Sequence, residues 1–459
     1  MLCRFALVLL LLALGPNLLH AGAAKRPPNI VFILADDLGY GDLGCYGQKM
    51  IKTPRLDEFA KQGMRFRQFY AGSTVCAPSR CALMTGLHTG HCRVRGNALV
   101  PLTAQDVTVA TLLRRAGYVT GLIGKWGLGE PGTSGVPGLH GFDYFFGYLN
   151  QHHAHNYWPD YLWRNDTKVP LPDNVQAKPN IAAKKAVYSH DLFTEEALKF
   201  VEQNKDRPFF LYLSYTLPHA NNERGKDEGN GMEIPSDEPY TKMPWPQAQK
   251  NHAAMISRLD RDVGRVLDRL RELGLDENTV VIFTSDNGPH REGGADPAFF
   301  NSSGGLRGFK RSLHEGGIRV PMLMRWTGKL PPDSTSDHIG AFWDFLPTAC
   351  DLAGVQTPPE LDGVSFLPPM FRKDNKKERQ FLYWEFHEGG FAQGVRMGDF
   401  KAVRKQVGAP LELYDLRTDL AEEHDIAARA PEVVERIEEY LRTARTDSPQ
   451  WPIKKGKKK

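Results

Sequence analysis

Cysteine is scarce in this chain, six among 459 residues. That excludes a disulfide-framed mini-domain, and a chain of this length buries enough surface to be stable without cross-links. Long apolar runs are missing too. The longest, residues 5–14, falls short of the roughly 20 residues a membrane-spanning helix needs, so no stable membrane span is expected. No repeat of solenoid or propeller period is visible. A charge excess is also absent. The formal charge is +4, but residues 454–459 hold five lysines and Arg4 lies at the start; without those six cations the body carries −2. That excludes charge-driven nucleic-acid binding, and no nucleic-acid partner is expected. What remains, 41% hydrophobic and 24% charged residues, is an ordinary globular composition.

The ends have their own character. Arg4, the apolar run and the small residues Ala21-Gly22-Ala23 read as a cleavable signal peptide over residues 1–24. A secreted or periplasmic location follows, lysosomal or extracellular in a eukaryote. The lysines of 454–459 read as a solvated basic tail. Cys45, Cys76, Cys81, Cys92 and Cys350 remain in the mature chain, which permits disulfides without requiring them. Asn165-Asp166-Thr167 and Asn301-Ser302-Ser303 are glycosylation sequons for a host that uses them.

Strand and helix signals alternate through most of the chain. Residues 29–35 form a continuous apolar run, the pattern of a strand buried on both faces. Thr53-Pro54 opens a helix with proline at its first position and Leu56, Phe59 and Ala60 inward. Thr108 caps a helix ending near Ala116, and a strand follows over 118–123. Residues 192–202 and 253–273 read as helices, 209–215 and 279–284 as buried strands. This alternation predicts an α/β fold with a mostly parallel sheet sandwiched by helices. Beyond about residue 361 the pattern changes to short strands near 381–385, 393–397, 400–404 and 411–415, closed by a helix from Pro431 to about Thr443. A smaller C-terminal α+β subdomain of antiparallel strands and one helix is expected. The boundaries read as a catalytic domain over 25–367, a C-terminal subdomain over 368–453 and the tail over 454–459.

Asp36-Asp37 directly follows the first apolar strand, and ligands of open α/β sheets collect at the carboxyl ends of strands. Adjacent buried carboxylates must be paired, protonated or metal-bound, although an Asp pair is also an ordinary turn or cap. Ser285-Asp286-Asn287-Gly288 repeats the arrangement after the strand at 279–284. Carboxylates with an amide oxygen form a hard oxygen site suited to Ca²⁺ or Mg²⁺ rather than zinc. Between the two in sequence lie Cys76-Ala77-Pro78-Ser79-Arg80 and Leu83-Met84-Thr85-Gly86.

That last stretch resembles the signature of the type I, formylglycine-dependent sulfatases, arylsulfatase-like members of the alkaline phosphatase superfamily. The similarity runs from about Pro28 to Asp425. It includes Glu315-Gly316-Gly317-Ile318-Arg319-Val320-Pro321 and Glu412-Leu413-Tyr414-Asp415-Leu416. It implies a large mixed, alkaline-phosphatase-like sheet and a Cys76 oxidised by a maturation enzyme to Cα-formylglycine. Asp36, Asp37, Asp286 and Asn287 match the family's calcium ligands, completed by the oxygen of residue 76. Arg80 matches the arginine that orients the formylglycine. Lys125 in Gly124-Lys125-Trp126 and Lys310 in Leu306-Arg307-Gly308-Phe309-Lys310 match sulfate-contacting lysines. His219 in Leu217-Pro218-His219 matches the histidine beside the leaving-group oxygen. The implied reaction is in-line attack on sulfur by the hydrated aldehyde, followed by its collapse to release sulfate.

One position departs from the pattern. Many members read Gly-Lys-Trp-His-Leu-Gly, where this chain has Gly127. His152, His153 and His155, or His140, could supply a replacement for the missing histidine in space; the alternatives are that they bind substrate or are merely exposed. His152, His153, His155 and His290 are expected to face substrate. Tyr157, Trp158, Tyr161 and Trp163, interleaved with polar groups, suit stacking on sugar rings and equally suit an ordinary packed loop. The expected function is sulfate-ester hydrolysis, exo-acting on sulfated carbohydrate or on a small sulfate ester. The alternatives are a phosphomonoester or phosphonate-ester hydrolase of the same superfamily, or a non-catalytic sulfated-glycan-binding protein.

Overall fold

The computed structural model describes residues 26–371 and 379–453; the expected leader and basic tail lie outside the described residues. Its frame is a ten-stranded sheet. In chain order the strands are β1 (Asn29–Ala35), β2 (Met64–Phe66), β3 (Val119–Lys125), β4 (Tyr144–Tyr148), β5 (Tyr161–Arg164), β6 (Thr167–Pro170), β7 (Phe209–Ser214), β8 (Thr279–Ser285), β9 (Met322–Arg325) and β10 (Ser334–Ser336). Their spatial order is β10-β2-β9-β8-β1-β7-β3-β4-β5-β6. The five central strands β8, β1, β7, β3 and β4 run parallel, and antiparallel pairs flank them on both sides.

Period-two alternation along β1 sends its side chains to two cores. Val31, Ile33 and Ala35 pack with helices α1 (Pro54–Gln62), α4 (Ser189–Gln203) and α5 (Gln247–Glu272). Ile30, Phe32 and Leu34 pack on the opposite face with α2 (Cys76–Thr85), α3 (Val109–Arg115) and α6 (Phe345–Ala353). Apolar side chains on both faces explain why β1 reads as one unbroken apolar run. Thr108 caps α3, its hydroxyl accepting the Thr111 N–H.

Two helices start earlier than their apolar periodicity indicates. The first turn of α4 buries His190, whose Nε2 lies 3.0 Å from Asp262. The first turns of α5 bury Gln249, which donates to the Gly294 carbonyl. Polar side chains satisfied by partners distant in sequence are invisible to a hydrophobic pattern.

A second, four-stranded antiparallel sheet contains β11 (Leu382–Phe386), β12 (Ala392–Met397), β13 (Phe400–Arg404) and β14 (Glu412–Asp415) in sequential order. One face packs on α7 (Pro431–Leu441) through Val433, Ile437 and Leu441. The other presents Leu382, Trp384 and Phe386 to Val75, Ala82 and Trp343. Helix α2 is thus wedged between the two sheets, and all ten of its residues are buried.

Candidate active site

The polar residues of the site converge at the carboxyl edge of the parallel strands. Asp36 and Asp37 follow β1, Asp286 and Asn287 follow β8, Lys125 is the last residue of β3, and His219 lies five residues past β7. Each strand end is fixed by its neighbours. The Asp36 N–H donates to the Leu217 carbonyl, the Asp286 N–H to Ala35, and the Asp37 N–H to Asp286 Oδ1. Gly124 permits the approach of β3 to β7: its φ is +108°, and a Cβ there would stand 1.9 Å from the Ser214 carbonyl oxygen.

Cys76 opens α2, and Arg80 sits one turn later on the same face. The Cys76 thiol donates to Asp36 Oδ1 at 3.3 Å. Arg80 is fully buried and fully engaged: it pairs with Asp286 at 2.8 Å and Asp36 at 3.2 Å, donates to the Lys125 carbonyl at 3.0 Å and bonds the Ser214 hydroxyl. Lys125 Nζ lies 2.7 Å from Asp36 Oδ2. Lys310 Nζ lies 2.8 Å from Asp37, 3.1 Å from His219 Nε2 and 3.0 Å from Glu292. The five groups matched to catalysis and the four matched to metal therefore occupy one buried cluster.

Electrostatics in this cluster follow from burial and pairing. Burial alone would raise Asp36, but the cations Lys125, Arg80 and Lys310 outweigh it and hold the carboxyl well below its usual range. Burial and then Asp36 push the Cys76 thiol well up, so it is protonated and poorly nucleophilic as it stands. Asp286 is pushed up to about 7 by burial and by Asp36, even with Arg80 beside it. His219 is pushed down to about 3 by burial and by Lys310. Its Nδ1 lies 2.6 Å from the Ala220 carbonyl, which fixes the proton there and leaves Nε2 to accept from Lys310.

A hard divalent cation fits this donor set. Three buried carboxylates face one another, and Asn287 Oδ1 is buried with no hydrogen-bond partner among the described residues. Its Nδ2 donates to Asp37 Oδ1 at 2.7 Å, so the amide oxygen is the atom left for a ligand. Ligand atoms of Asp36, Asp37, Cys76 and His219 all lie within 4.8 Å of one another.

The histidines expected to face substrate differ in placement. His155 stacks on His219 with ring centroids 4.9 Å apart, and His290 also stacks on His219, at 6.0 Å. His152 is exposed, 5.6 Å from the His155 ring. His153 packs against Tyr148 and Tyr161, and burial pushes it down to about 4. His140 Nε2 bonds the Ser134 carbonyl. Of the aromatics, Tyr157 and Trp158 are core residues packed on Tyr188, while Tyr161 and Trp163 are half-buried beneath Lys168. Sequence reading missed Glu292, which pairs with Lys310 and Arg311, and Ser214, which holds Arg80. Only their positions, five residues past Asn287 and at the end of a strand, hint at either.

A mixed α/β sheet carrying acids, lysines and a helix-borne cysteine at its carboxyl edge is the frame of an alkaline-phosphatase-like ester hydrolase. The Sulfatase family model matches residues 28–355, and that for the N-sulphoglucosamine sulphohydrolase C-terminal region matches 306–447. The chain belongs to the sulfatase family and is a sulfuric ester hydrolase. It is 33% identical to human arylsulfatase A, over 94% of this chain and 89% of that one. It is 31% identical to dog N-acetylgalactosamine-6-sulfatase, over 86% and 74%. The crystal structure of Ps i-CgsB in complex with k-i-k-neocarrahexaose superimposes with a TM-score of 0.78 at 29% identity, covering 94% of this chain and 95% of that one.

Proposed function

We propose that this chain is an exo-acting carbohydrate sulfatase that works with calcium and a formylglycine made from Cys76. One observation carries the reading: Cys76 opens a fully buried helix, faces Asp36 at 3.3 Å, and is ringed by Arg80, Lys125 and Lys310. Carbohydrate as substrate is supported by the likeness to N-acetylgalactosamine-6-sulfatase and to Ps i-CgsB, whose structure is a complex with k-i-k-neocarrahexaose.

Oxidised to the aldehyde and hydrated, residue 76 supplies an oxygen nucleophile and, by collapsing back to the aldehyde, a route for sulfate release. Calcium, when bound, would be held by Asp36, Asp37, Asp286 and Asn287 and would supply positive charge for an anionic ester. The protein's own groups do the rest. Arg80, held by two carboxylates, a carbonyl and a hydroxyl, orients residue 76 one turn away. Lys125 and Lys310 are dehydrated and anchored, so they meet the sulfate oxygens without reorganising. Lys310 is the proton source for the departing alcohol, and His219, neutral with Nε2 facing that ammonium, aims it. Arg80, Lys125 and Lys310 offset the carboxylates of Asp36, Asp37 and Asp286, and Arg311 offsets Glu292, so a bound dication would leave the cluster positive, matched to an anionic ester and nucleophile.

The remaining parts of the reading concern context. Residues 1–24 direct the chain out of the cytoplasm, to the periplasm or beyond, where it meets sulfated glycans. A separate maturation enzyme oxidises Cys76. Residues 25–367 form the catalytic domain and 368–453 the C-terminal subdomain that buttresses α2. Among the described residues no helix is long and apolar enough to cross a membrane. Peptide mass spectrometry across position 76 tests the central point. An active preparation carries the aldehyde or its hydrate there, and Cys76→Ala has no turnover. Full activity with only an unmodified thiol would refute it.

A further inference from the structure

Gln151 stands where three site-bearing segments meet, and nothing in the mechanism above uses it. Its Nε2 donates to Asn97 Oδ1 at 2.7 Å. The same Asn97 oxygen accepts the N–H of Ala77, the residue after Cys76, at 3.1 Å. On another side is Gly127, two residues past Lys125, with φ +80° and its N–H bonded to the Leu149 carbonyl. A Cβ at position 127 would lie 3.0 Å from Gln151 Oε1. On the third side the chain runs from Gln151 into the turn that stacks His155 on His219.

The orientation of the Gln151 amide is decided by chemistry. Asn97 Oδ1 accepts a backbone N–H, so it is an oxygen, and its second partner must be a donor. Gln151 therefore turns its NH₂ to Asn97 and leaves Oε1 on the other side. The residue is only 6% exposed, and Oε1 is buried without a hydrogen-bond partner among the described residues. Buried acceptors in native proteins are paired. A Cβ at position 127 would crowd this oxygen at 3.0 Å, so the glycine and the free acceptor are adjacent parts of one feature.

We propose that Gln151 is a specificity-determining residue whose Oε1 accepts a hydrogen bond from a hydroxyl on the alcohol half of the sulfate ester. Lys125 and Lys310 are the cations for the sulfate, and the nucleophile side is taken by Asp36 and Arg80. The substrate's sugar hydroxyls are the donors that remain. The inference rests on the sulfatase reading and extends it to the recognition of the sugar. A neutral amide acceptor, tethered at its other end, selects a hydroxyl at one position and rejects an analogue that lacks it.

The test is a double cycle on matured enzyme, calcium present. Wild type and Gln151→Leu are assayed on the best-cleaved member of a panel of galactose, N-acetylgalactosamine and N-acetylglucosamine sulfates, and on its monodeoxy analogues. Gln151→Leu is expected to lower kcat/KM about 10- to 100-fold on the parent sugar. On one monodeoxy analogue that loss is expected to shrink to about twofold, because the bond is already gone. An equal loss on every analogue, or no loss at all, overturns the proposal while leaving the sulfatase reading intact. A formylglycine-bearing wild type that cleaves no sulfate ester overturns the sulfatase reading and this inference with it. Should Gln151→Leu fail to fold, Gln151→Asn withdraws the acceptor by one methylene and must give the same pattern.

Discussion

Replacing Lys125 by methionine tests whether the carboxylate cluster is built around a cation. The substitution keeps the length of the side chain and removes its charge. Lys125 Nζ and Asp36 Oδ2 are 2.7 Å apart, and both side chains are about 1% exposed. At an effective dielectric of 20 their attraction is about 6 kcal/mol, offset by several kcal/mol recovered when the ammonium is no longer dehydrated. Arg80, 3.2 Å from Asp36, continues to compensate the carboxylate in part. The net loss in calcium-free protein should therefore be about 3 kcal/mol, at the lower end of the range for a broken buried pair. With calcium on Asp36 the orphaned charge is neutralised, and the loss should fall to about 1 kcal/mol, the difference appearing as tighter calcium binding by the variant. Turnover of the calcium-loaded, matured enzyme should fall about 10²- to 10³-fold, because a preorganised cation facing the transition state is gone. Urea denaturation with calcium and with chelator reads the first quantity, and initial rates on sulfate esters read the second. Equal destabilisation with and without calcium, together with unchanged turnover, would refute the reasoning.

Three further outcomes are expected. Asp286→Asn should weaken calcium binding at least tenfold by isothermal titration, and in chelated wild type Ca²⁺ should restore turnover better than Zn²⁺; full activity in metal-free protein would contradict the site. Trp384→Ala should cost about 3–5 kcal/mol, since Trp384 is fully buried between Tyr70 and Trp343 and donates to the Ala71 carbonyl; a loss below 1 kcal/mol would show that the C-terminal sheet does not support α2. Glu315 bears on acid stability. Burial raises its pKa, but Lys401 and Arg319 outweigh burial and bring it from 4.5 to about 2. A depressed acid stabilises the fold above its unfolded value and loses that contribution as pH falls, so about 3 kcal/mol should drain away between pH 4.5 and 2. Glu315→Gln should flatten that limb of the stability curve, and an unchanged limb would count against the pairing.

Legibility in the sequence varied with the kind of interaction. Strand β1 was readable because both its faces are apolar, and α1 because Thr53-Pro54 marks its start. The early turns of α4 and α5 were not readable, since His190 and Gln249 are buried through polar partners far away in the chain. Tyr157 and Trp158 had two open readings, sugar platform or packed loop. Packing on Tyr188 makes them core: both rings are buried, with Tyr157 fully covered and Trp158 5% exposed, so neither presents a face to a sugar. Glu292 gave no motif, and it matters through Lys310, 18 residues away.

By itself the sequence determined the family, the layered α/β architecture and which residue types are available for chemistry. Those depend on local order: a motif of five residues, an apolar run, a carboxylate pair after a strand. Tertiary structure alone decided which groups face one another. It set Arg80 between Asp36 and Asp286, gave His219 its tautomer through Ala220, and left Asn287 Oδ1 and Gln151 Oε1 without partners among the described residues. Hydrogen bonding, burial and charge coupling act through space over a few ångströms, between residues separated by tens to hundreds of positions, and no linear pattern encodes those distances.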